Sequence, residues 1–116
     1  MRPRPPDVRT PLRPAVYHIL LALAEGDLHG LGIADRIERA SEGALVLGPG
    51  TLYRSLSQMA DAGLIRPAPA PSTDEDPRRK HYRLTPAGRE LLTRETARLG
   101  RLVEAARARG VPAEQP

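Results

Sequence analysis

The fold of this chain turns on residues 48 to 65, Gly48-Pro49-Gly50-Thr51-Leu52-Tyr53-Arg54-Ser55-Leu56-Ser57-Gln58-Met59-Ala60-Asp61-Ala62-Gly63-Leu64-Ile65. The stretch has the form of a helix with a start and a stop. Pro49 and Gly50 interrupt whatever precedes them, and Gly63 sits where a helix C-terminus favours a residue that accepts positive φ. Between them Leu52, Leu56, Met59 and Ala60 recur at helical spacing as one apolar stripe. At about 100° per residue, Arg54, Ser57 and Asp61 point the other way, flanked by Thr51, Tyr53 and Gln58. A helix that is apolar behind and carries Arg, Ser, Gln and Thr in front suits presentation to a DNA groove. By itself it also fits an ordinary amphipathic surface helix, so the flanking sequence has to decide.

Upstream, a first helix is expected from about Arg13 to Ala24. Val16, Ile19, Leu20 and Leu23 make its core stripe, and Tyr17, Leu21 and Ala24 make a second one at the side, for a partner subunit or a later helix to cover. A turn at Glu25-Gly26-Asp27 and the run Leu28-His29-Gly30-Leu31-Gly32 lead into a second helix, about Leu31 to Ser41. Leu45-Val46-Leu47 is too short for a helix and reads as a short strand or an extended connector.

Downstream, Leu64 to Pro69 reads as a strand entering a Pro-rich loop with a polar, acidic tip, Ser72 to Pro77. Arg78-Arg79-Lys80-His81-Tyr82-Arg83-Leu84 reads as the returning strand, with His81 and Arg83 on one face. Thr85-Pro86 is a helix start, with a good N-cap and proline at the first helical position. That last helix should reach about Arg109, with Leu91, Leu92, Leu99, Leu102, Val103 and Ala106 on one side and Glu95 interrupting them. It is long for so small a domain, and its far half has no core of its own to cover, which implies a partner helix. A frayed tail after Leu99, encouraged by Gly100, is the alternative.

Composition narrows the classes. The 116 residues suit one domain, and 40% apolar content allows a core, but there is no Phe and no Trp. Zero cysteines exclude disulfides and thiol chemistry. No apolar run is long enough to span a bilayer, and the Arg/Pro-rich start lacks the apolar segment of a secretory signal, so a cytoplasmic location is expected. A net charge of +4 fits a polyanionic partner. No phosphate-binding loop, metal-ligand spacing or catalytic constellation is present, and no enzyme is expected.

The expected fold is mainly α with a small β-hairpin: a winged helix-turn-helix plus a long C-terminal dimerisation helix. Residues 1–11 form a disordered Pro/Arg-rich arm, 12–84 the DNA-binding domain, 85–110 the dimerisation helix and 111–116 a tail. The chain resembles the PadR family of bacterial transcriptional regulators. Leu28-His29-Gly30-Leu31-Gly32-Ile33 resembles the family's entry into helix 2. Gly50-Thr51-Leu52-Tyr53, Leu56 and Gly63-Leu64-Ile65 resemble its recognition helix. Arg78 to Tyr82 and Leu84-Thr85-Pro86-Ala87-Gly88 resemble its wing and the start of its last helix. The family often has an aromatic where this chain has Leu31, and a tyrosine where it has His81. The resemblance implies a homodimer, joined mainly through the last helix, that binds a two-fold symmetric operator in double-stranded DNA, usually as a repressor.

Arg54, Ser57 and Gln58 are the candidates for base contact, since Arg matches guanine and Gln matches adenine in the major groove. Thr51 and Tyr53 sit near the helix start, where hydroxyls reach phosphates; for Tyr53 a core role is the alternative. His29 is placed at a helix start, for a phosphate or as a turn residue. Arg78, Arg79 and Lys80 lie along the DNA backbone or in a minor groove, or form a solvated strand edge. Tyr17, Leu21, Leu91, Leu92, Leu99, Leu102, Val103 and Ala106 are the expected dimer interface. No cofactor or metal is implied; a small-molecule effector is possible. The competing class is a winged-helix protein-interaction module that binds no DNA.

Overall fold

Proline and glycine punctuate the chain where helices begin and end. The computed structural model describes residues 10–73, 76 and 78–112, in the order α1 (Pro14–Leu23), β1 (Leu28–His29), α2 (Gly30–Ala40), α3 (Pro49–Asp61), β2 (Ile65–Ala68), β3 (His81–Leu84) and α4 (Pro86–Ala108). Most of the expected N-terminal arm, part of the acidic loop tip and the last four residues lie outside the described residues.

Each of α1, α3 and α4 opens with proline in its first turn. The quoted stretch is a helix, and it stops as expected. Gly63 takes φ +76, its N–H reaches the Ala60 carbonyl, and the Leu64 N–H reaches back to Met59 at 2.9 Å. These two bonds satisfy carbonyls that the helix end would leave open. Thr85 then ties this turn to α4: its hydroxyl accepts from the Gly88 N–H at 3.0 Å and donates to the Gly63 carbonyl at 2.6 Å.

The core lies between α1, α2, α3 and the sheet. Ile19, Leu20, Ile33, Ile37, Leu52, Leu56, Met59 and Ile65 are its fully buried members. Each contributes about 1.5–3 kcal/mol of apolar burial. On α3 the buried set is Leu52, Ser55, Leu56 and Met59. Ala60, expected in that stripe, is exposed, and Ser55 is buried in its place. Residues 52, 55, 56 and 59 follow the i, i+3, i+4, i+7 pattern of one face, and Ala60 lies a step off it. Leu45 and Leu47 pack half-buried against the core from an irregular connector, with Val46 exposed between them.

The sheet differs from the expected hairpin. It is three-stranded and antiparallel, in the order β1-β3-β2, with Leu28 opposite Tyr82, His29 opposite His81 and Ile65 opposite Leu84. β1 has two residues, too few to show any periodicity in sequence. The returning strand starts at His81 instead of Arg78. The Arg79 N–H bonds to the Asp76 carbonyl and the Arg78 N–H to the Asp76 carboxylate, and this turn takes both arginines out of the ladder. His81 and Arg83 share a face of β3 but not an environment, because His29 covers the first while the second is exposed and pairs with Asp27.

Candidate nucleic-acid interface

Three elements bring the site together: the first turn of α2, the exposed face of α3 and the loop that enters β3. Thr51, Tyr53, Arg54 and Ser57 are exposed on α3, and Gln58 is half-buried. Tyr53 is 49% exposed, which places its ring outside the core. It lies over Gly30: a Cβ built there would meet the Tyr53 hydroxyl at 2.7 Å and its ring carbons at 3.1 Å. The absence of a side chain at Gly30 is what lets α3 bring this ring down onto the start of α2.

Beside Tyr53 lies a shallow pocket of about 110 Å³ lined by His29, Gly30, Leu31, Tyr53, Arg79 and Lys80. Arg79 Nη1 is 3.3 Å from His29 Nε2, and the Arg79 carbonyl is 3.1 Å from His81 Nδ1. The two imidazoles lie with ring centroids 5.4 Å apart. Lys80 Nζ sits 5.7 Å from the centre of the Tyr82 ring, a cation–π arrangement. Arg78 projects to solvent and pairs with Asp76 at 3.2 Å. Arg83 grips Asp27 with a shortest contact of 2.7 Å and lowers the Asp27 carboxyl below its ordinary range, tying β3 to the turn before β1.

His29, Tyr53, Arg79 and Lys80 are therefore neighbours, and Thr51, Arg54, Ser57 and Gln58 continue from them along α3. Leu31 also lines the pocket and is 63% exposed. In sequence it stands in the approach to α2, where the family often has an aromatic, and it is not among the expected contact residues. Its apolar character in a polar turn was the available signal.

Of the residues expected at a subunit interface, Leu91 and Leu92 are already buried inside the single chain and have little surface left to offer. Leu21, Leu102 and Val103 are exposed, and Leu99 and Ala106 are half-buried. Tyr17 is half-buried, and its hydroxyl shares a 2.8 Å hydrogen bond with Thr96 of α4.

A three-helix core that presents its third helix beside a short antiparallel sheet defines a winged helix-turn-helix. The fold is shared with solved structures. A transcriptional regulator from Clostridium thermocellum superposes with a TM-score of 0.68 at 24% identity, covering 81% of this chain and 87% of that one. PadR from Bacillus subtilis, solved in complex with operator DNA, superposes with a TM-score of 0.59 at 25% identity, covering 70% of this chain and 45% of that one. The model of the transcriptional regulator PadR-like family matches residues 19–94, and the chain belongs to that family. It is also 44% identical over 84 residues to an uncharacterised 37.1 kDa protein in transposon TN4556 of Streptomyces fradiae; the match covers 72% of this chain but 22% of that protein. The family and these solved neighbours are transcription regulators. Among the described residues no helix is long and apolar enough to cross a membrane.

Proposed function

We propose that the chain is a homodimeric, sequence-reading DNA-binding regulator that acts as a repressor. The observation that carries this reading is the continuity of the exposed polar face of α3 with the cationic pocket of His29, Tyr53, Arg79 and Lys80. α3 enters the major groove, where Arg54, Ser57 and Gln58 meet base edges. Thr51, Tyr53 and the pocket hold the flanking phosphates, and Arg78 follows the backbone or enters the minor groove. The exposed Leu102 and Val103 of α4, with Leu21 of α1, pack on a second copy and set two recognition helices about one helical turn of DNA apart. The Bacillus subtilis relative bound to operator DNA supports the same use of the fold.

The test is titration of the full chain with its own upstream duplex and a scrambled duplex at two salt concentrations. Arg54→Ala should cost about 1–3 kcal/mol on the preferred duplex and relax preference. Arg79→Ala should weaken binding to both and lower the salt slope by about 1. Equal losses on both duplexes for Arg54→Ala would remove its base-reading role. A folded dimer that shows no salt-sensitive binding to either duplex would assign the fold to protein interaction instead.

A further inference from the structure

We propose that Leu31 reads thymine in the bound DNA, by packing its side chain against the C5-methyl group of the base. The inference rests on the DNA-binding reading above and adds to it a specificity-determining residue outside the recognition helix.

Helix periodicity decides where Leu31 points. α2 buries Gly30, Ile33 and Ile37. At about 100° per residue, Leu31 lies about 160° around the helix from Ile33 and about 120° from Ile37. It shares its side with Asp35 and Glu38, four and seven residues on, and all three are exposed. The two carboxylates suit water, and Asp35 pairs with Arg39 at 3.1 Å. Leu31 is the apolar member of this face, stands in the first turn, and belongs neither to the core nor to the side chains packed against it. A single exposed leucine is ordinary on a protein surface. The neighbours make this one different. Leu31 lines the same pocket as the half-exposed Tyr53 ring, so the two form an apolar lip in a pocket whose other walls include Arg79 and Lys80.

DNA chemistry decides what such a lip can meet. With α3 in the major groove, the start of α2 lies at the groove edge, where a helix-turn-helix sets the helix before its recognition helix across the backbone. Phosphates offer nothing to a leucine. Of the four bases only thymine puts an alkyl group into the major groove, and apolar side chains recognise it by contact. Packing Leu31 on that methyl removes both surfaces from water and needs no hydrogen bond to align, so the methyl itself is the discriminating group. Burial of one such group is worth about fourfold in affinity.

The experiment is a thymine-to-deoxyuridine scan. The full chain selects its preferred duplex from randomised DNA, and each thymine of that duplex is replaced in turn by deoxyuridine, which keeps every hydrogen-bonding group and lacks only the methyl. The wild type should lose about fourfold in affinity at one thymine position of each half-site. Leu31→Ala should bind the thymine duplex more weakly by a similar factor. At that position it should lose nothing further to deoxyuridine, the mark of two groups that act through each other. Alanine favours helix and Leu31 lies outside the core, so the variant keeps its fold, which a thermal melt checks. The wild-type scan needs no variant. A scan with no such loss, a loss that persists undiminished in folded Leu31→Ala, or salt-sensitive binding that enriches no sequence would overturn the inference and leave DNA binding standing. Absence of both enrichment and salt-sensitive binding would overturn the DNA-binding reading as well.

Discussion

Gly30 and Gly88 both sit where a Cβ has no room, yet filling them should have different consequences. At Gly30 the obstacle is the hydroxyl end of Tyr53, a side chain that can swing away. At Gly88 it is the backbone carbonyl of Leu64, which is held in place by the Thr85 N–H at 3.1 Å. Gly30→Ala should therefore leave thermal stability nearly unchanged while weakening DNA binding, because it moves Tyr53 off the pocket. Gly88→Ala should cost about 3 kcal/mol of stability, since the start of α4 must shift. Denaturant melts and duplex titration of the two variants check the contrast; loss of stability in both would mean that Tyr53 is as rigid as the backbone. Sequence showed Gly88 only as part of the Thr-Pro-Ala-Gly run and Gly30 only as a turn residue, because close approach between distant segments leaves no mark on local pattern.

Among the elements, α4 has two halves with different tasks. Twenty-three residues at about 1.5 Å each make it the longest helix among the described residues. Its first half gives Leu91 and Leu92 to the core beside α1, and its second half carries Leu102 and Val103 past the core into solvent. The amphipathic stripe was legible in sequence; where the core ends along it was not, because that depends on how far α1 reaches. Leu92→Ala should lower unfolding free energy by about 2–4 kcal/mol, as truncations in a packed core do. Leu102→Glu should leave the fold intact and weaken self-association by 30-fold or so, roughly 2 kcal/mol, as loss of a central interface residue does. Sedimentation equilibrium of the folded variants separates the two effects. An undisturbed dimer in Leu102→Glu would place the subunit interface elsewhere.

For the whole molecule, a charged group fastens the beginning of the described chain to its last helix. Glu95 is 2% exposed, accepts two hydrogen bonds from Arg98 at 2.7 and 2.9 Å, and accepts the Leu12 N–H at 2.8 Å. In sequence it looked like an interruption of an apolar stripe; its partners turn it into a clasp across 83 positions. The Arg98 hydrogen bonds, followed by that of Leu12, hold its carboxyl from an ordinary 4.5 down to about 2. A depressed pKa in the folded state means that the stabilisation is present above about pH 4.5 and is lost as pH falls toward about 2. The wild type should melt higher than Glu95→Gln at neutral pH, and the gap should close across that acid window. A gap that stays constant with pH would show that the carboxylate charge contributes nothing to the clasp.

The sequence by itself determined the local elements. Pro at helix starts, Gly63 at a stop, the Thr85 cap and apolar spacing on α1 to α4 are short-range signals, and they suffice for a winged helix because each acts within a turn or two. Tertiary structure alone decided what meets across long separations. It paired Leu28 and His29 with β3 and set His29 beside His81 and Arg79. The pairing of β1 with β3 and the contacts of His29 with Arg79 and His81 join residues about fifty positions apart, whose proximity depends on chain topology and leaves no trace in local periodicity.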